Sequence, residues 1–449
     1  MNKIIKLHKG LDIPIEGVAE NLVSDVRKDV GKVAVCPPDF IGFVPRVVVK
    51  EGDAVEVGTP LFVDKRNEAQ KLTSPVSGKV VSVERGERRK LLAVVVENDG
   101  EYRSAAFEKS EIGGMDAQKV TDIMNTAGIT PYLRQRPFDI VPNTAQAPRD
   151  IFISLFSTMP LAADNNIVLK GREEFFKAGV KALSKIAPVS VGISPEQQDA
   201  FGEIDGAEVN VFEGANPAGN VGVQINNTKP VNKGEAVWTI NPESVAILGK
   251  LLTTGTLDFT RRIAVAGSEV AAPQYYDTIA GGSLQPLIGG KLKHAEHVRI
   301  INGNPLVGVP VAADGYLAAY AGEVTAIPEG DDKNEILGWI APRTNEFSAS
   351  RSYLSWLMPR RKYNPDARIK GGERHIIMSG EYDRVFPMDI YAGYLIKAII
   401  AKDIDRMEEL GIYEVAPEDF AVAEFVDSSK LELQKIVREG LDFLRKELA

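Results

Sequence analysis

A chain of 449 residues exceeds what one ordinary hydrophobic core supports, and at about 100–200 residues per domain it divides into roughly three or four. Apolar residues make up 44% and charged residues 26%, with no low-complexity tract, which excludes disordered and fibrous classes. Lysine and arginine number 53 against 62 aspartates and glutamates, a net charge of −9; this disfavours general attraction to nucleic acid or anionic lipid and leaves room for a local basic surface.

The single cysteine, Cys36, excludes an intrachain disulfide and a cluster held by four thiolates of this chain, and it fits a reducing compartment. The start "MNKIIKLHKGLDIPIEG" has basic residues but no apolar stretch or cleavage site after them, so no export signal is expected. Val47 to Glu97 follows as short Val-rich runs with Gly52, Gly58 and Gly78 at tight turns, the pattern of a small β barrel-sandwich. Within it, "EGDAVEVGTPLFVDKRNEAQKLTSPVSGKVVSV" is similar to the hairpin of lipoyl and biotinyl carrier domains, which raises Lys65 as a modified residue. A carrier lysine sits at the tip of a tight hairpin, whereas Lys65 lies nine residues before Ser74. The module therefore reads as a structural relative of the carriers with an unmodified lysine.

After Gly100 the pattern changes. "DIFISLF" (150–156), "PVSVGIS" (188–194), "AEVNVF" (207–212) and "RRIAVAG" (261–267) are strand-like, and "GREEFFKAGVKALSKI" and "NPESVAILGKLLTTG" have helical spacing. Asn241 before Pro242 reads as a helix cap and Gly255 as its stop. Strands alternating with helices predict a parallel-sheet α/β domain over 101–257. Short strands and many glycines over 261–328 predict a compact α+β unit. The end reads as helical. Ile390, Tyr394, Leu395, Ala398 and Ile399 are expected on one helix face, and Ser429 with Glu432 as a capping box. Asp389 to Ala401 is the most apolar helical run, but it is too short to cross a bilayer and carries Lys397.

Chemistry-bearing motifs are scarce. No G-x-G-x-x-G occurs, and in "GANPAGNV" Gly214 and Gly219 have P-loop spacing while Asn220 and Val221 replace the lysine and hydroxyl that hold phosphate and Mg²⁺. His294 and His297 are spaced to share a metal only if helical, and without a nearby cysteine they read as a solvated turn. Asp331-Asp332 and Glu408-Glu409 read as solvated faces. No catalytic, cofactor-binding or metal-binding residue is therefore assigned. One charge feature stands out: residues 343–374, "RTNEFSASRSYLSWLMPRRKYNPDARIKGGER", hold eight Arg or Lys against Glu346, Asp366 and Glu373. Apolar and aromatic residues interleave with them. Arg351, Trp356, Arg360, Arg361 and Lys362 are the candidate docking surface, toward a protein or a membrane interface; a plain connector between domains is the alternative.

The motifs "KGLDIPIEG", "KEGDAVEVGTPLFVDK", "SPVSGKVVSVERGERR", "RQRPFDIVP", "STMPLAAD", "VWTINPESVAILGKLLTTGTL", "ASRSYLSWLMPRRKY" and "SGEYDRVFPMDI" occur in an order that resembles the A subunit of the Na⁺-translocating NADH:quinone oxidoreductase over nearly the whole chain. In architecture this is similar to the C subunit of the Rnf complex and to the NADH-binding flavoprotein of respiratory complex I. The resemblance implies a multidomain α/β and α+β protein: a barrel-sandwich hybrid (1–100), a Rossmann-like domain (101–257), a β-grasp domain (258–330) and a basic connector with a helical C-terminal domain (331–449). "AGSEVAAPQYYDTIAGGSLQPLI" looks like the β-grasp signature, with Gly267, Pro273, Gly281, Ser283 and Leu284 at its places.

Where those flavoprotein relatives carry a glycine-rich flavin loop, this chain has "AGITPYLRQRPFDIVP", with Pro131, Tyr132, Leu133 and Arg134 in place of the glycines. It also departs from the family's commoner pattern at Asn216, where many members have histidine, and in "AVAEFVDSSK", which lacks cysteines. The resemblance implies a peripheral, cofactor-free member of the complex on the cytoplasmic face of the bacterial inner membrane. Its partners would be the other subunits, above all the integral membrane one that bears FMN, with quinone nearby and no nucleic acid; FMN, FAD, riboflavin and the iron–sulfur cluster would sit in those other subunits. The alternatives are an independent NAD- or flavin-dependent oxidoreductase and a β-grasp protein for a small ligand.

Overall fold

The strands Ile151–Ser154, Val189–Ile193, Ala207–Glu213 and Val237–Thr239 lie parallel, in the spatial order third, second, first, fourth of their sequence order. Val189–Ile193 is buried at every position, as suits a strand covered on both faces. The computed structural model describes residues 2–109, 111–333, 343–377 and 380–448. Helices Glu173–Leu183 and Pro242–Thr254 pack together so tightly that a Cβ on Gly179 would lie 2.1 Å from the Val245 carbonyl oxygen, and one on Gly249 would lie 1.8 Å from that of Phe175. The second helix starts and stops as its sequence predicts. The Asn241 side chain accepts from the Ser244 N–H at 2.7 Å, and Gly255 ends the helix at φ 75°.

A second six-stranded sheet runs in the order Val309–Pro310, Val298–Asn302, Glu323–Pro328, Thr260–Ala266, Gln274–Ile279, Glu20–Asp25. Two smaller sheets, one with Lys32–Val35, Leu91–Asn98, Gly78–Arg85 and Ala54–Val55, the other with Pro45–Val47, Pro60–Asp64 and Lys71–Thr73, enclose a core that includes Val33, Leu61, Phe62, Leu72, Val80 and Val94. Val80 faces this core while its neighbour Val81 turns outward, as successive residues of a strand do.

Two strands from the first 25 residues join the larger sheets. Lys3–Lys6 pairs in parallel with Ala207–Glu213, and Glu20–Asp25 pairs with Gln274–Ile279. Between them the chain runs as a strap across the molecule. The Asp12 carboxylate accepts from the Asn216 N–H at 2.9 Å, and the Gly267 N–H donates to the Gly17 carbonyl at 2.8 Å. At Gly17, φ is 90° and a Cβ would fall 2.2 Å from the Gly267 carbonyl carbon, so only glycine fits.

The C-terminal helices Glu381–Val385, Ala392–Ala401, Ile404–Glu409, Ala421–Val426 and Leu433–Glu447 share a core with Phe386, Leu395, Ile399, Phe420, Val437 and Leu441. Two local expectations fail here. On the helix Ala392–Ala401, Leu395, Ala398 and Ile399 face the core as expected, with Ala392 and Ile396, but Ile390 precedes the helix and Tyr394 turns outward at 58% exposure. Ser429 does not cap the last helix either. It is buried with its hydroxyl on the His375 carbonyl at 3.2 Å, and the Glu424 carboxylate takes the Gln434 N–H at 2.8 Å. Among the described residues no helix is long and apolar enough to cross a membrane.

Candidate docking surface

Parallel sheets bind ligands outside the carboxyl ends of their strands, and here that rim is packed with the protein's own side chains. A Cβ on Gly219, in the "GANPAGNV" loop, would lie 2.7 Å from the Thr158 nitrogen and 2.8 Å from the Ser157 Cα. Beyond it Gly222 meets the Asp419 carboxylate, 2.4 Å from where its Cβ would stand. Asp419 belongs to the C-terminal unit and pairs at 2.5 Å with Arg136, whose other contacts are Glu418 at 3.1 Å and the Glu414 carbonyl at 2.9 Å. Arg136 is 1% exposed. Although 44% of its side chain stays exposed, desolvation of its carboxyl, with the Asp419 charge behind it, pushes Glu418 up to about 7. Sequence reading assigned nothing to this cluster; two arginines two residues apart in "RQRPF" were the available signal.

The flavin-loop equivalent, 127–142, is closed in the same way. Phe40, Tyr132 and Tyr320, one from each of three units, meet with ring centroids 5.5 to 6.1 Å apart, and the Arg134 guanidinium sits 4.2 Å over the Tyr320 ring. The cleft beside them, lined by Cys36, Asp39, Phe40, Tyr132, Gly281 and Ala319, has a volume of about 20 Å³, enough for roughly one water. Burial pushes the Cys36 thiol up to about 12, far from a reactive thiolate. His294 and His297 do not meet on a helix; His297 bonds Asp331 at 2.8 Å, and His294 lies 3.9 Å from Glu269. Among the described residues no group of three or more His, Cys, Asp or Glu is placed to hold a metal. Lys65 is exposed on the loop between Pro60–Asp64 and Lys71–Thr73, and the Gln70 amide pins that loop to the Pro142 carbonyl at 2.7 Å.

The basic stretch divides into bonded and free cations. Arg343 and Lys370 hold Glu346 at 2.8 and 2.7 Å, while Lys333 and Arg368 hold Asp366 at 3.1 and 2.9 Å. Burial opposes ionisation of Asp366, yet these bonds hold its carboxyl down at about 2. Tyr363 anchors the segment: it is 3% exposed, donates its N–H to the Pro14 carbonyl at 2.8 Å and accepts from the Glu16 N–H at 2.9 Å. Phe347 stacks on Phe425 at 6.1 Å. The 3₁₀ turn Leu354–Leu357 then projects outward, its buried Ser355 closing the loop back to Ser348.

Of the five candidates, Trp356 is 52% exposed with Arg351 stacked 5.7 Å from its ring. Arg360 and Lys362 are exposed with no carboxylate partner among the described residues. Arg361 is the exception, since it bonds the Asn345 side chain at 2.5 Å and lies 5.7 Å from the Tyr363 ring, where it braces the loop. Residues 334–342 of the expected connector lie outside the described residues.

Comparison with known proteins decides the family. Residues 5–99 match the NqrA N-terminal barrel-sandwich hybrid domain, 115–257 the NqrA second alpha/beta domain, and 262–312 the NQRA C-terminal domain. The A subunit of the Na(+)-translocating NADH-quinone reductase of Rhodopirellula baltica is 34% identical, over 99% of this chain and 98% of that one. The A subunits from Yersinia pestis bv. Antiqua and Vibrio parahaemolyticus are each 35% identical, over 99% of this chain and all of theirs. The chain belongs to the NqrA family, the A subunits of the Na(+)-translocating NADH-quinone reductases. Its two small sheets are the barrel-sandwich hybrid of this family, within a mixed α/β architecture. Among solved structures, the NAD+-reducing [NiFe]-hydrogenase in the H2-reduced state is similar at 14% identity and a TM-score of 0.34, over 51% of this chain and 52% of that one, a likeness too low to carry any argument.

Proposed function

We propose that this chain is the peripheral NqrA subunit of a sodium-pumping NADH:quinone reductase, the complex that couples electron transfer from NADH to quinone to Na⁺ translocation. In this reading it holds no redox group. The flavins and the iron–sulfur cluster belong to other subunits, and this chain organises the membrane subunits around the quinone site from the cytoplasmic side. The observation that supports it is the closure of both nucleotide-type loops by the chain's own residues, above all Asp419 and Arg136 against Gly222. We read the parallel sheet as a Rossmann-like domain over 101–257, because its third-second-first-fourth order is that of the first half of a doubly wound sheet plus the strand at its switch point. The glycine-rich sheet over 258–330 reads as a β-grasp domain, 1–100 as the barrel-sandwich unit and 331–449 as the connector and helical domain.

The face bearing Arg351, Trp356, Arg360 and Lys362 is the one turned toward the membrane part of the complex. Purification after mild detergent extraction tests the reading. The chain should travel with integral membrane subunits, and once separated from them it should show no flavin absorbance and no NADH oxidation. Stoichiometric flavin on the separated chain would support an independent flavoprotein and reopen residues 127–142 as its loop.

A further inference from the structure

The projecting turn Leu354–Leu357 carries Leu354, Trp356 and Leu357 at 45%, 52% and 58% exposure, flanked by Arg351 on one side and Arg360 and Lys362 on the other. We infer that this turn is a surface anchor for anionic phospholipid headgroups, an inference that rests on reading the chain as the peripheral member of a membrane complex. The first support is its single sign. Of the three carboxylates in the stretch, Glu346 and Asp366 are held by Arg343, Lys370, Lys333 and Arg368, and the exposed Glu373 makes no described ion pair with Arg351, Arg360 or Lys362, so those three cations face outward with no described carboxylate against them. Protein interfaces have rims of mixed polarity, whereas an anionic bilayer is a partner of one sign.

The second support is shape. The apolar residues stand exposed on a short 3₁₀ turn tied down behind by Tyr363, with tryptophan among them. Tryptophan favours the headgroup layer, where its apolar body and its N–H are both satisfied. The third is what lies opposite. Cytoplasmic loops of membrane proteins are enriched in Lys and Arg, so a cationic patch approaching from that side is repelled by the loops and attracted by the headgroups between them. Each Lys or Arg near such a surface strengthens binding about fivefold. Three cations give about a hundredfold, modest alone and sufficient to orient a chain already held by its complex.

Flotation of the full chain with vesicles of phosphatidylcholine, and of phosphatidylcholine mixed with phosphatidylglycerol, tests this. The native chain should bind only the mixed vesicles and lose them as salt rises. Arg360→Glu with Lys362→Glu should weaken binding by at least about twenty-five-fold, Trp356→Ala with Leu357→Ala should also weaken it, and Lys65→Glu, on a distant exposed loop, should not. Melting is followed in parallel, and Trp356→Ala alone replaces any variant that melts early. Absence of binding to the mixed vesicles, or variants that bind as the native chain does, overturns the anchor. Variants that lose recovery with the membrane subunits in detergent, where no bilayer remains, while the native chain ignores vesicles, make the turn a protein contact; that overturns the anchor and spares the proposed place in the complex. A native chain that binds vesicles but never accompanies membrane subunits keeps the anchor and removes that place.

Discussion

Arg136 and Arg360 come from stretches that look alike as text, "RQRPF" and "PRRKY", each with neighbouring cations beside proline and an aromatic residue. In the folded chain they share nothing but the guanidinium. Arg136 is sealed between the α/β sheet and the C-terminal helices, bonded to Asp419 and Glu418 from 283 and 282 residues away. Arg360 stands in solvent with no carboxylate partner among the described residues. What separates them is the distant stretch of sequence that supplies the counter-charge. A buried guanidinium acts through the cost of leaving it unpaired, whereas an exposed one acts only through the potential it adds to a surface.

Breaking the buried side should have the largest effect. Asp419→Ala strands Arg136 without its closest partner in a dry interface and should cost about 3–5 kcal/mol, read as a fall in melting temperature. Replacing both partners, Arg136→Met with Asp419→Leu, should cost less than the single change, since the guanidinium is then removed together with its closest carboxylate instead of being left without it. Equal losses would mean that shape, not charge, holds the two units together.

A smaller loss, about 1 kcal/mol, is expected for Asn241→Ala, which removes the cap of the helix Pro242–Thr254; chemical denaturation measures it. That cap, with its proline and terminal glycine, was fully legible in the sequence because every partner lies within four residues. So were the parallel strands, whose apolar runs need only local reading, and the exposed Trp356 turn. The strap at residues 7–17 was not legible, because Gly17 and Asp12 owe their places to Gly267 and Asn216, and nothing local marks that. Ser429 failed for a similar reason: a residue spaced as a cap was claimed by His375. The candidate site divided along the same line. Arg360, Arg361 and Lys362 are all exposed, but only Arg361 is bonded across the loop, to Asn345, beside the Tyr363 ring.

Glu418 makes the buried side respond to pH. Its carboxyl faces Asp419, Asp139, Arg136 and Arg134, and burial followed by the Asp419 charge raises it from 4.5 to about 7. The folded chain therefore holds this proton more tightly than the unfolded one. The contribution to stability is full below about 4.5, falls as pH rises toward about 7 and is flat above. Glu418→Gln should remove that decline, seen as a shrinking difference in melting temperature between variant and native chain toward low pH. A constant difference across this range would remove the carboxyl from the account.

The smallest change in stability belongs to the exposed side. Arg360→Glu with Lys362→Glu should shift unfolding by no more than about 0.5 kcal/mol per substitution, because no described contact is lost. Early melting would show these cations to be structural after all.

The most direct measurement of the central claim is the composition of the complex obtained by mild detergent extraction, followed by separation of its subunits. This chain should co-purify with integral membrane subunits, and after separation the flavin absorbance should stay with them and leave the chain colourless. A chain that purifies alone, or one that keeps stoichiometric flavin, would contradict it.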